Sequence, residues 1–133
     1  MNILKILTPK RLIGNLGERE AAKLLRRKGY KILKQNYTAC GAEIDIIARG
    51  KGITLFVEVK TRRTDSTLYS DFGTPASAVT RSKQQKTVEA ARKYLATTKY
   101  AKLQPRFDVI EVYVDKNESN VININHIINA FGA

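Results

Sequence analysis

Between Gly41 and Arg62 the chain reads GAEIDIIARGKGITLFVEVKTR, two apolar runs with charged residues set inside them. The tetrapeptide Arg49-Gly50-Lys51-Gly52 separates the runs and carries a turn signal, which predicts two adjacent antiparallel strands, Glu43–Ala48 and Ile53–Thr61. Side chains alternate faces along a strand, so Glu43 and Asp45 share a face, and so do Glu58 and Lys60. The remaining residues of both runs are Ile, Ala, Leu, Phe and Val, the composition of a buried sheet. Carboxylates and an ammonium inside such strands are costly unless they are paired or hold a metal. That conflict between apolar pattern and charged chemistry marks the place where function is expected.

The elements around this pair follow from periodicity. Met1–Leu12 reads as a basic lead-in interrupted at Pro9. From Ile13 to Lys28 apolar residues recur at spacings of three and four (Leu16, Ala21, Leu24, Leu25), which predicts an amphipathic helix. Asn15 is its expected N-cap, with Glu18 as capping-box partner, and Gly29 ends it. Tyr30–Ala39 reads as a first strand. Arg62–Ser77 is a long polar loop, of the kind that is usually functional in a small domain. Thr80–Thr97 forms the second helix, with Val88, Ala91, Tyr94 and Leu95 on its buried face. Arg106–Val114 is a strand, Val121–Asn125 a final edge strand and Ile127–Phe131 a short terminal helix. The order α-β-β-β-α-β predicts an α/β fold, a mixed sheet flanked by helices, as one domain over residues 1–133. The 133 residues suit a single core.

Charge narrows the partner. Lys and Arg number 24 against 12 Asp and Glu, a formal charge of +12, so a polyanion is favoured and nucleic acid is the simplest. Arg62, Arg63, Arg81, Lys83 and Lys86, on the loop and the second helix, are the candidate phosphate contacts. No run has the sustained basic amphipathic pattern of an interfacial helix or the ~20 apolar residues of a membrane span. With no signal peptide evident, the expected location is the cytoplasm. Cys40 and His126 are the only residues of their types, which excludes a disulfide within the chain, a cysteine zinc site and a histidine-rich metal site. A bound metal would be a hard cation on carboxylates, Mg2+, Mn2+ or Ca2+.

If the two central strands are in register, Asp45 meets Glu58 across the ladder. Two carboxylates, a backbone carbonyl and waters suit Mg2+ or Mn2+, and Lys60 would stand beside them. There it could activate a water or offset charge on a phosphate. Such a set suffices for metal-dependent phosphodiester hydrolysis. An E-x-K in a strand is weak on its own. It gains weight from Asp45 on the neighbouring strand and from Phe56, which shares the face of Glu58 and Lys60. Glu18, at the border of the first helix's apolar stripe, either reaches the same site or serves only as a cap. Gln84 and Gln85 could contact phosphate, Ser77 and Thr80 read as caps, and Asp108 as a buried ion-pair partner. His126 is isolated in the sequence.

The residues Gly14–Glu18, AEIDIIA (Ala42–Ala48), FVEVKTR (Phe56–Arg62), Ala78, Val79 and Lys83, and RFDVI (Arg106–Ile110) together resemble the YraN-like family of small bacterial proteins. That family is similar to the PD-(D/E)XK nucleases, nearest to archaeal Holliday junction resolvases. The resemblance implies a restriction-endonuclease-like core in which Asp45 matches the first acid, Glu58 and Lys60 the (D/E)XK pair, and Glu18 the helix acid of the resolvase-like branch. Ile44, not proline, precedes Asp45. The function implied is a metal-dependent endonuclease on branched or structured DNA. Resolvase-like relatives are symmetric dimers, which extends the expectation to a homodimer. The alternative is a non-catalytic nucleic-acid-binding or partner-recruiting module on the same fold.

Overall fold

The computed structural model describes residues 9–64, 80–117 and 119–132, with the side chains of residues 9–15 excepted. Helix α1 (Pro9–Arg27) is followed by strands β1 (Lys31–Ala39), β2 (Ala42–Gly50) and β3 (Ile53–Arg63). Helix α2 (Arg81–Ala96), β4 (Gln104–Val114) and β5 (Val121–Phe131) complete the chain. The strands form one sheet in the order β1-β2-β3-β4-β5. β3 and β4 are parallel and every other neighbouring pair is antiparallel. The fold is the expected α/β arrangement of a mixed sheet flanked by helices, with β5 as a further strand.

Alternation along the strands feeds two cores, one on each sheet face. Ala21, Ala22 and Leu25 of α1 pack against Ile46, Ala48, Leu55, Val57, Ile110, Val112 and Val114. Val88, Ala90, Ala91 and Tyr94 of α2 pack against Ile44, Ile47, Phe56 and Phe107. Phe56 lies 5.6 Å from Phe107, stacked, and meets Tyr94 edge-on at 6.1 Å. Adjacent residues of β3 thus belong to opposite layers, Leu55 and Val57 to one and Phe56 to the other. This explains why β3 reads as continuously apolar.

Several boundaries depart from the sequence reading. α1 begins at Pro9, not Ile13, because proline lacks only an amide that the first turn leaves unbonded in any case. Asn15 therefore lies inside the helix and is not its N-cap, so Glu18 has no capping role. The far end behaves as expected. Gly29 has φ +94, and its N–H bonds Arg26 O while the Tyr30 N–H bonds Leu25 O, both at 3.0 Å. Thr80 caps α2, accepting the Lys83 N–H at 3.2 Å. Residues Ile127–Phe131 continue β5 and do not form a helix; Ile127 pairs with Val109 and Phe131 with Phe107. Asn129, at φ +56, sits in a register irregularity there, where four steps of β5 span two of β4. Arg62 and Arg63, read as the start of the polar loop, belong to β3. Residues 65–79 of that loop, with Ser77, Ala78 and Val79, lie outside the described residues, as does most of the basic lead-in.

Candidate active site where β2 and β3 part

The β2–β3 ladder runs from Gly50↔Ile53 to Ile46↔Val57. One step further on the same register, Asp45 stands opposite Glu58, and there the strands separate. β2 stays with β1 through Ala39↔Ala42, while β3 stays with β4 through Arg63↔Val114. The split leaves the Val59 amide without a ladder carbonyl. Asp45 Oδ2 accepts that N–H at 2.7 Å, which ties the carboxylate across the opening. The space between the parted strands is a cleft of about 230 Å3, bordered by Glu43, Asp45 and Glu58 on one side and by Lys83, Lys86 and Thr87 of α2 on the other.

The two facing acids differ in charge state. Burial, reinforced by the charges of Glu18, Glu58 and Glu43 and opposed by the Val59 amide, pushes the Asp45 carboxyl up to about 7. Burial acts on Glu58 in the same direction, but hydrogen bonds from Lys83 and Lys60 outweigh it and hold Glu58 below its ordinary value. Lys60 Nζ is 2.9 Å from Glu58 Oε1, and Lys83 Nζ is 2.7 Å from the same oxygen. The Glu58 contact in turn raises the Lys83 ammonium above its usual range. Carboxyls pushed apart in this way, one toward neutrality and one kept ionised, mark a functional-site candidate of the acid–base kind.

Asp45, Glu58 and Lys60 thus come together as the spacing predicts. Glu18 does not line the same cleft; it borders a separate hollow with Arg19, Arg26, Gln35 and Asn36. It is still close enough to repel Asp45, and burial together with the charge of Glu43 raises its own carboxyl. Glu43 is exposed at the cleft rim. Among the described residues no three acidic, histidine or cysteine side chains converge on one point. Asp45 and Glu58 are accordingly the pair on which a hard divalent cation could rest, the remaining positions falling to backbone oxygen and water.

The candidate phosphate contacts divide. Lys86 lines the cleft, and Lys83, read from sequence as a phosphate contact, is bonded to the central acid. Arg62 Nε is 2.9 Å from Glu111 Oε2 in a nearly buried pair, and Tyr113 donates its hydroxyl to the same carboxylate. Arg63 ends β3, exposed. Arg81 borders a different groove of about 380 Å3 with Gln84, Gln85 and Arg92. Asp108 is the buried ion-pair partner expected. It accepts two bonds from Arg106, the Asn129 N–H, and a 2.8 Å contact to His126 Nε2. Burial alone would raise Asp108, but His126, Arg106 and the Asn129 amide together lower it. Lys28 Nζ, 2.8 Å away, donates to His126 Nδ1, so that histidine is far from isolated. Sequence carried no signal for this contact, since Lys28 and His126 are 98 positions apart.

The family described as uncharacterised protein family UPF0102 matches residues 17–112, which span both acid-bearing strands, α2 and nearly all of β4. The chain belongs to this family. The resemblance to the YraN-like proteins is thereby established at family level. Among UPF0102 relatives, that of Caldanaerobacter subterraneus subsp. tengcongensis is 45% identical over 122 residues, covering 92% of this chain and 96% of its own. A UPF0102 protein of Caldicellulosiruptor saccharolyticus is 42% identical, covering 92% and 98%, and one of Syntrophotalea carbinolica 43%, covering 94% and 96%. No helix among the described residues is long and apolar enough to cross a membrane.

Proposed function

We propose that this UPF0102 protein is a divalent-metal-dependent endonuclease of the PD-(D/E)XK type, acting on branched or otherwise structured DNA. One observation carries the reading: Asp45 and Glu58, the latter bonded to Lys60, line a cleft whose other wall is the basic start of α2. The α-β-β-β-α-β-β order and the +12 charge support it. The donor set fits Mg2+ or Mn2+, because a cation between Asp45 and Glu58 would offset the burial that, with the charges of neighbouring acids, keeps Asp45 near neutral. When bound, such a metal would polarise a phosphoryl oxygen and lower the pKa of its water. Asp45 and Glu58 would hold the metal. Lys60 orients the attacking water or offsets charge on the phosphate. Lys86 and other cations of α2 take neighbouring phosphates without reading sequence. The proposal extends to a cytoplasmic protein working as a symmetric pair.

A second reading has its own support. Glu58 already has two ammonium groups on one oxygen, a closed arrangement that would also serve a metal-free nucleic-acid-binding module. Cleavage of labelled four-way junction, flap, single-stranded and duplex DNA with Mg2+ or Mn2+, beside a Glu58→Ala control, separates the two. Cutting that vanishes in the control supports the nuclease. Binding by both proteins without cutting supports the module.

A further inference from the structure

Lys60 and Lys83 put two positive charges on the same atom, Glu58 Oε1, at 2.9 and 2.7 Å. Like charges held this close repel, which makes either ammonium easier to draw onto another anion. The two differ in freedom. Lys60 lies on β3 two residues from Glu58, and its side chain is 26% exposed. Lys83 comes from α2, across the cleft, and its side chain is 50% exposed. Lys86 and Thr87 stand beside it on the cleft wall, where a phosphate backbone would run.

On the reading above, Glu58 is also a metal ligand, and an ammonium on its oxygen competes with the cation for the same lone pairs. From this geometry we infer that Lys83 is a positioning residue that couples nucleic acid to metal. Without substrate it rests on Glu58 and weakens metal binding. A phosphate entering the cleft draws it away and releases Glu58 to the metal. Nucleic acid and metal then bind with positive cooperativity, and the coupling is reciprocal, each tightening the other by the same factor. Lys86 contacts the same cleft without a bond to Glu58, so it contributes to the general field but not to the coupling.

The test is Mn2+ binding measured by calorimetry for wild type, Lys83→Gln and Lys86→Gln. Each is titrated alone and with a short phosphorothioate duplex that resists cleavage. Lys83→Gln is expected to lower the Kd for Mn2+ of the free protein about three- to fivefold, the factor a partly exposed charged contact supplies. Lys86→Gln, which removes the same charge from the same cleft, should shift it clearly less. The duplex should tighten Mn2+ binding to wild type and to Lys86→Gln clearly more than to Lys83→Gln. Equal shifts in the two variants, or undiminished tightening by the duplex in Lys83→Gln, would overturn the coupling and leave the metal site standing. Failure of both wild type and Lys83→Gln to bind Mn2+ would instead remove the metal-dependent reading, and the coupling with it.

Discussion

Replacing Asp45 by Asn keeps the oxygen that accepts the Val59 N–H and removes the charge that its surroundings resist. The wild-type carboxyl is raised from 3.8 to about 7, by burial first and then by the acids around it. A carboxyl whose native pKa lies above its unfolded one binds its proton more tightly in the native state. It costs nothing below pH ~4, where both states are protonated. Stability then falls as pH rises through the interval, and the loss is complete above pH ~7. That interval is about three pH units at about 1.4 kcal/mol each, so the ceiling on the loss is about 4 kcal/mol. Asp45→Asn is therefore expected to be more stable than wild type by up to about 4 kcal/mol at pH 8, and no more stable at pH 4. For a domain of this size a gain near the ceiling raises Tm by about 14 °C. Thermal melts of the two proteins at pH 4, 6 and 8, without added metal, measure it directly. A difference that does not change between pH 4 and pH 8, or a variant that is the weaker at pH 8, would refute the account of Asp45 as a strained acid.

Lys60→Ala should abolish cleavage while leaving DNA affinity nearly intact; comparable losses of both, in cleavage and binding assays run side by side, would deny Lys60 a chemical role. Asp108→Ala leaves Arg106 and His126 without their shared carboxylate, and should lower unfolding stability in urea by about 3–5 kcal/mol. Gly17→Ala should cost about 1–3 kcal/mol, because a Cβ there runs into the Thr61 hydroxyl, and Thr61→Ala in the same chain should recover part of it. DNA affinity should fall steeply between low and physiological salt as phosphate neutralisation releases counterions; a flat salt dependence would argue against a phosphate-tracking surface.

The parts of this structure that were legible in the sequence are those whose causes are local. The β2–β3 hairpin announced itself through two apolar runs and the Lys51-Gly52 turn, where both residues adopt positive φ. The α2 stripe of Val88, Ala91 and Tyr94 sits at helical spacing and is buried as that spacing requires. Asp45 opposite Glu58 followed from register alone. Ambiguous local patterns misled. The residues from Ile127 to Phe131 fit a helical turn as well as a strand, and only pairing with β4 decides between them. Pro9, read as a breaker, is instead the first residue of α1. What could not be read was tertiary. Nothing in the spacing of Lys83 shows that its nitrogen lies on Glu58, 25 positions earlier, because α2 reaches the cleft by way of residues 65–79.

The sheet order also implies a sequence of assembly. β1, β2 and β3 pair as a meander joined by short turns, so Asp45, Glu58 and Lys60 can be brought together early, at little loop-closure cost. The parallel β3–β4 pair joins residues about fifty positions apart, and α2 lies on that crossover. Pairings of that separation are slow to close. The acids of the cleft and Lys60 are then expected to meet before Lys83 adds the second ammonium on Glu58. During that interval the nascent chain would present two carboxylates against one ammonium to any cation in solution. Pulsed hydrogen exchange during refolding, with and without Mn2+, would show β2 and β3 amides protected ahead of those of β4, and the gap widening as metal holds the early hairpin.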